Sequence, residues 1–415
     1  MKIISFLGLN SYRETNYVHP DGSRSVKTPF FQEALVNFYQ PDTLYVLLTK
    51  SVETKPPRDA SETNWNALKK RLNGKVKLEP VKDIPEQNRP EDVWSIFERV
   101  NDCLEEGDRV IFDITHSFRS VPIVALIAVS YLRVARQIQI EGLLYGAFEA
   151  KNPETNEAPT FDLLPIVSLL DWTTATDQFL KTGTGQELAS LLQGSDAPTQ
   201  NLASNIEGIS QGLELLRPLD VMRESALLPD RIETARSSSS TFPPPFETLL
   251  KRVSQDYGRF GLQSPDNDAI DAKSSLLKQL NMIEWYAEKR QIVQALSLAR
   301  EWLPSLLCYH FNLDPFNFDD RNEMELLLNG GKYKDREGNT LRESPYLEQW
   351  HQRPKKQRKR VNKIWSGDFK LPNLRNDVLH AGFRKNSKTA TEIIRQTEQI
   401  VEKLKAIALE WNLID

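Results

Sequence analysis

Apolar runs of strand length recur through the first 150 residues, at 2–9, 44–49, 76–81, 110–114 and 142–148, and segments with helical periodicity lie between them at 30–39, 62–72, 91–104 and 121–136. A strand that is apolar on both faces needs cover on both, and the intervening helices supply it. This alternation predicts βαβ units and a mostly parallel, doubly wound sheet. The polar, turn-rich segment 152–159 precedes 161–167, which is expected to pair back as a hairpin strand and close the domain near residue 170. The apolar start Met1–Leu7 is too short for a signal core and lacks a small-residue cleavage site, so it reads as a buried strand.

Beyond residue 170 the pattern becomes helical. Segments around 186–192 and 206–216 read as a connector, and the Ser/Pro-rich stretch 237–245 reads as a boundary. After it come apolar helical stripes at Leu276, Leu277, Leu280 and Ile283, and at Ala295, Leu296, Ala299 and Trp302. Thr389 and Glu392 have capping-box spacing ahead of Ile393, Ile400, Val401, Leu404, Ile407 and Trp411, which predicts a long amphipathic helix. The expected architecture is therefore α/β plus all-α: a Rossmann-like domain over 1–170, a helical connector and linker over 171–245, and a helical domain over 246–415.

Charged residues make up 27% of the chain and no apolar run approaches a membrane span, so no membrane association is expected. The two cysteines, Cys103 and Cys308, are far apart, which argues against a disulfide framework and fits a reducing cytoplasm. Five histidines without an HExxH pair suggest no metal site, and a net charge of −4 means that any nucleic-acid footprint must be local.

Open α/β sheets bind ligands beyond the carboxyl ends of their strands, which draws attention to two loops. The loop after the first strand carries Asn10, Ser11, Tyr12, Thr15 and Tyr17, and runs polar to Thr28. The loop after the fourth predicted strand reads Thr115-His116-Ser117-Phe118-Arg119 and leads into a helix, whose free N–H groups suit an anion or phosphate. A plain helix cap at Thr115, Ser117 or Ser120 would use the same residue types. Neither GxGxxG nor a P-loop is present, which disfavours dinucleotide cofactors and NTP hydrolysis.

The chemistry is expected at Arg375, Asn376 and His380, on a short helix opened by Pro372 and Asn373 and stopped by Gly382. Histidine moves protons near neutral pH, a guanidinium holds phosphate bidentately, and the amide orients either; that set suits phosphodiester cleavage without a metal. Asn376 and His380, four apart, share a helical face, with Arg375 off it. The basic block Lys355, Lys356, Arg358, Lys359 and Arg360 lies shortly before, and a phosphate backbone is its expected partner.

This combination resembles the CARF–HEPN ribonucleases of type III CRISPR systems, across essentially the whole chain in domain order. The Arg375-Asn376-x-x-x-His380 spacing with trailing Ala381-Gly382-Phe383 looks like the HEPN motif, and Ala295–Glu301 looks like a helix lining the same cleft. The Asp113–Ser120 loop looks like the family's activator-binding signature, which more often has Gly where Ser117 stands. The resemblance implies a CARF sensor for a cyclic oligoadenylate, with cyclic tetraadenylate as the expected form, and a HEPN domain cutting single-stranded RNA for antiviral defence. It implies a homodimer or higher homo-oligomer, because one motif offers one histidine while cleavage wants both a base and an acid. The alternative is a sensor or ring nuclease whose HEPN domain is weak or silent.

Overall fold

The structure is a computed structural model that describes residues 1–58, 60–87, 89–116, 121–193, 196–238, 245–266, 268–383 and 385–413, with the backbone alone at 90, 121–126, 129 and 268–271. The chain forms two compact units, Met1–Asp171 and Trp172–Asp415.

The first unit is built on an eight-stranded sheet in the order β3-β2-β8-β7-β6-β1-β4-β5. Its strands are β1 (Lys2–Phe6), β2 (Thr15–Val18), β3 (Ser25–Thr28), β4 (Thr43–Thr49), β5 (Lys77–Ile84), β6 (Arg109–Asp113), β7 (Gln139–Gly146) and β8 (Glu157–Asp162). The helices are α1 (Phe31–Tyr39), α2 (Lys50–Thr54), α3 (Asn64–Leu72), α4 (Pro90–Asp102), α5 (Val121–Ala135) and the start of α6 (Leu164–Thr182). Strands β5, β4, β1, β6 and β7 run parallel. The chain winds outward from β1 to β4 and β5, then crosses back to β6, so its topological switch point lies between β1 and β6.

Neighbouring residues on each strand serve opposite faces. Ile4, Phe6, Leu47, Phe112 and Leu143 pack into one core with Ile96 and Leu132, whereas Ile3, Leu7, Val46, Ile111 and Leu144 pack into the other with Phe31, Leu35 and Leu68. This is the physical content of the apolar runs: period-two alternation is hidden because both faces are covered. At Gly146 a Cβ would stand 2.6 Å from the Phe31 ring, so the strand admits only glycine where α1 closes over it.

Two expectations are corrected here. The loop after β1 contains the antiparallel hairpin β2–β3, and β2 adds to the sheet by pairing parallel with β8. The returning strand β8 also lies earlier than the expected 161–167, overlapping it only at Phe161 and Asp162, because the Asp162 carboxylate accepts the Leu164 N–H (2.9 Å) where α6 begins.

In the second unit follow α7 (Gln186–Leu192), α8 (Ala197–Glu214), α9 (Pro218–Ser238), α10 (Phe246–Gly258), α11 (Asp268–Glu288), α12 (Ile292–Phe311), α13 (Phe318–Leu328), the hairpin β9 (Lys332–Lys334) and β10 (Thr340–Glu343), α14 (Leu347–Gln352), α15 (Lys355–Trp365), α16 (Leu371–Leu379) and α17 (Ala390–Glu410). The segments expected as connector and as separate domain contribute to one apolar cluster: Phe179, Ile206, Val221 and Leu228 join Trp285, Trp302, Leu306 and Leu404. Two buried polar tips are tied to backbone carbonyls across the helices. The Tyr286 hydroxyl donates to Leu213 O (2.7 Å) and the Trp302 indole to Leu276 O (2.8 Å), fastening α11 and α12 to their neighbours. Among the described residues no helix is long and apolar enough to cross a membrane.

Candidate functional site

At the carboxyl edge of the first sheet, the ends of β1 and β6 carry a buried polar chain. The Ser5 hydroxyl donates to Asp113 Oδ2 (2.5 Å), the Thr115 N–H donates to Asp113 Oδ1 (2.8 Å), and the Thr115 hydroxyl accepts the Gly146 N–H (2.9 Å). Gln32, from α1, donates to Ser5 Oγ (3.0 Å) and Phe6 O (2.8 Å). Asp113 is fully buried, and burial pushes its carboxyl up to about 6 against the opposing hydrogen bonds of Ser5 and Thr115.

Above this network the Tyr12 ring lies 4.3 Å from the His116 ring, and its hydroxyl accepts the Gly8 N–H (2.7 Å). Burial lowers His116 to about 4, Glu149 opposing, so the imidazole is neutral at pH 7; among the described residues its Nε2 has no partner. Asn64 at the start of α3 donates to both Gly8 O and Asn10 O (2.9 Å each), pinning the loop after β1 over the switch point.

Of the residues expected to meet an activator, Asn10 and Ser11 are exposed, and Tyr12, Thr115 and His116 stand half-buried at this edge. Thr15 and Tyr17 do not join them. Both lie on β2 and are buried, Tyr17 packing against Phe31 and the Thr15 hydroxyl donating to Asn156 O (2.9 Å), so they build the wall of the sheet. Ser117, Phe118 and Arg119 lie outside the described residues. Ser5, Gln32 and Asn64 were missed by sequence reasoning, and Asp113 entered only as the first residue of the Asp113–Ser120 loop; polar residues inside or beside apolar strands were the available signal.

In the second unit α16 buries Leu371, Leu374 and Asp377. Arg375 lines a cavity of about 1040 Å³ together with Glu301 of α12 and Arg321 of α13, and its Nε is buried without a partner among the described residues. Arg321 is held by Glu301 Oε2 (2.5 Å) and Ser305 Oγ (2.9 Å), while Arg300 bridges Glu301 (2.7 Å) and Glu325 (2.8 Å). Asn376 is half-buried, and His380, exposed, caps the helix with its N–H on Asn376 O (2.9 Å). Within one protomer Arg375 thus faces the cavity while His380 is not among the cavity's lining residues.

The helix stop differs from expectation. Gly382 N donates to Asp377 O (3.1 Å) and Ala381 N to Val378 O (3.0 Å), the Schellman pattern, which puts Ala381 at φ 52 where glycine is usual, with Gly382 following at φ 72. Asp377 Oδ2 then accepts the Lys388 N–H (3.0 Å), drawing the following loop back onto the helix.

The basic block forms the first turns of α15. Lys356 and Arg360 pair with Glu410 (3.3 and 3.1 Å), and Arg358 donates to Arg353 O (3.2 Å). Lys355 and Lys359 are exposed with no carboxylate in ion-pair range among the described residues. Arg353 has a packing role, lying 4.0 Å from the Trp411 ring centre and bonded to His310 (2.6 Å). Among the described residues no group of three or more His, Cys, Asp or Glu is placed to hold a metal.

A doubly wound sheet with a polar switch point, followed by a helical unit, defines a Rossmann-type domain of the kind that takes ligands at its carboxyl edge. Residues 2–149 match the family model of the CARF domain of the CRISPR system endoribonuclease Csx1, and residues 168–267 match that of the second domain of CRISPR-associated protein MJ1674. CRISPR-associated protein MJ1674 of Methanocaldococcus jannaschii is 27% identical over 127 residues, covering 30% of this chain and 19% of that protein, so the match spans about a fifth of the relative's length. A solved structure, Enterococcus italicus Csm6 bound to cyclic hexa-2′-fluoro-hexa-dAMP, is 12% identical with a TM-score of 0.48, covering 99% of this chain and 94% of that one. The first unit is a CARF domain, so the chain is a CARF-containing protein similar to CRISPR-associated proteins.

Proposed function

We propose that this protein is an endoribonuclease, activated by a cyclic oligoadenylate at its CARF domain, that cuts single-stranded RNA in antiviral defence. The observation that carries the reading is the helix α16, which offers a partly buried guanidinium to a cavity and an exposed imidazole at its end. The region 246–415 is then a HEPN domain. The RNA's own 2′-hydroxyl attacks the adjacent phosphorus, the P–O5′ bond breaks, and a 2′,3′-cyclic phosphate and a 5′-hydroxyl result. His380 takes the proton from the 2′-hydroxyl and the partner's His380 returns one to the 5′-oxygen. Arg375 neutralises charge on the phosphorane, and Asn376 keeps imidazole and phosphate in register.

A two-fold homodimer supplies the second histidine. Trp94 (65% exposed), Tyr131 (53%) and Val134 (85%) present apolar surface on α4 and α5, and Phe383, beside the motif, is 92% exposed. Asn10, Ser11, Tyr12, Thr115, His116, Ser117, Phe118 and Arg119 are the proposed contacts for the activator, with cyclic tetraadenylate the preferred ring. The exposed Lys355 and Lys359 are the proposed anchors for the RNA backbone.

The test is cleavage of labelled RNA in EDTA with cyclic tri-, tetra- or hexaadenylate. Cleavage with one ring, leaving cyclic-phosphate ends, is expected. Activity that disappears in EDTA and returns with a divalent ion overturns the acid–base mechanism.

A further inference from the structure

We infer that the cavity beside Arg375 seats a nucleotide flanking the scissile phosphate, stacked on Tyr309 and read by Gln279. This rests on the reading of the second unit as an RNA-cutting domain and names the part of the substrate that this cavity takes. At about 1040 Å³ the cavity stands at the upper end of clefts that enclose small ligands, roughly 300–1,000 Å³. That is room for a nucleoside and its linkage.

The walls divide by chemistry. Leu276 of α11 and Leu298 of α12, both buried, give an apolar floor. Tyr309 and Phe316 remain 39% and 52% exposed at the cavity, where a packed core would have covered them. Exposed aromatic rings beside a phosphate-binding group are the platform on which single-stranded bases stack. Gln279, half-buried on α11, donates one amide N–H to Ser275 Oγ (3.3 Å) and keeps its amide oxygen and second N–H to meet a base edge.

Arg217, Arg223, Arg321 and Arg375 face Asp220, Glu301 and Asp314 around the cavity, an excess of one positive charge that favours an anion. Arg321 is engaged by Glu301, and Arg223 by Asp220 (2.9 Å) and Asp266 (3.2 Å). Arg217 and Arg375, also lining the cavity, have no carboxylate in ion-pair range among the described residues. An occupant that satisfies these walls is aromatic, hydrogen-bonding and anionic. An apolar segment of a second copy would leave Arg217, Arg375 and the Gln279 amide oxygen unmatched, at the cost of desolvating them.

The experiment measures binding of short 2′-O-methyl oligonucleotides of A, C, G or U by fluorescence anisotropy, with cyclic oligoadenylate present; the blocked 2′-oxygen cannot attack, so binding is read without cleavage. Tyr309→Ala is expected to weaken binding about tenfold, within the range of one base stack, while Tyr309→Phe binds as wild type. Gln279→Ala is expected to flatten the discrimination among the four bases. Wild type that binds none of the oligonucleotides, or Tyr309→Ala that matches wild type in affinity and base preference, overturns the assignment. So does a Tyr309→Ala protein that binds RNA normally but sediments as a smaller species, since the cavity is then a protein contact. A wild type that binds with this Tyr309 dependence yet never cuts unmodified RNA sinks the nuclease reading and leaves the base-binding cavity standing.

Discussion

Asp113 and His116 titrate in the same pH window with opposite effects on stability, so the pair hides its own pH dependence until one member is removed. Burial raises the Asp113 carboxyl from 3.8 to about 6, so its contribution is full below 3.8 and is lost as pH rises through 6. Burial lowers His116 from 6.5 to about 4, so its contribution is full above 6.5 and is lost as pH falls through 4. Between about pH 4 and 6 each slope is about 1.4 kcal/mol per pH unit, one falling and one rising, and they cancel. Asp113→Asn keeps a hydrogen-bonding side chain for Ser5 and Thr115 but removes the proton. His116→Phe keeps the ring against Tyr12 and removes the imidazole. From pH 7 to pH 4.5, Asp113→Asn should lose about 2 kcal/mol relative to wild type, and His116→Phe should gain about 2–3 kcal/mol. Urea unfolding followed by circular dichroism at a series of pH values reads this, because other titrating groups cancel in the difference from wild type. If both variants differ from wild type by the same amount at pH 7 and pH 4.5, neither group is buried as described.

Three further outcomes are expected. His380→Ala should lower turnover by about 10²–10⁴-fold with an unchanged melting temperature, since the side chain is exposed; wild-type cleavage in that variant would remove it from the mechanism. Arg119→Ala should weaken cyclic oligoadenylate binding in calorimetry without altering the circular dichroism spectrum, and unchanged affinity would move the phosphate contact elsewhere. Ala381→Gly should stabilise the protein by about 1 kcal/mol, because Ala381 has φ 52 at the end of α16; a loss of stability in denaturant would show that the turn tolerates a Cβ without strain.

Much of the first unit was legible because its signals are local. Apolar runs at strand length and helical stripes between them reflect burial on one face or two, a property of consecutive residues. The β2–β3 hairpin was not legible. Its two strands are only four residues each and rich in polar side chains, and they became strand because the β8 edge offered Tyr17 and its neighbours backbone partners. For the same reason Thr15 and Tyr17 looked like loop ligands and proved to be sheet. The Ser/Pro-rich stretch looked like a boundary, yet the apolar faces of α8 and α9 are buried against helices on its other side. The basic block read as a uniform phosphate surface, whereas Glu410, fifty or more residues further along, neutralises Lys356 and Arg360.

By itself the sequence determined the class of each half, α/β then all-α, and the short helix that carries Arg375, Asn376 and His380. Periodicity, capping and residue chemistry act over a few turns and need no knowledge of neighbours. Only the tertiary structure decided that Asp113 is buried beneath Thr115, that Arg321 is held by Glu301 while Arg375 has no carboxylate partner among the described residues, and that Arg375 opens onto a cavity with Tyr309 and Gln279. Burial, charge pairing and cavity walls arise between residues that are distant in the chain, and the free energies that set them depend on distance and solvent access, which one-dimensional order does not encode.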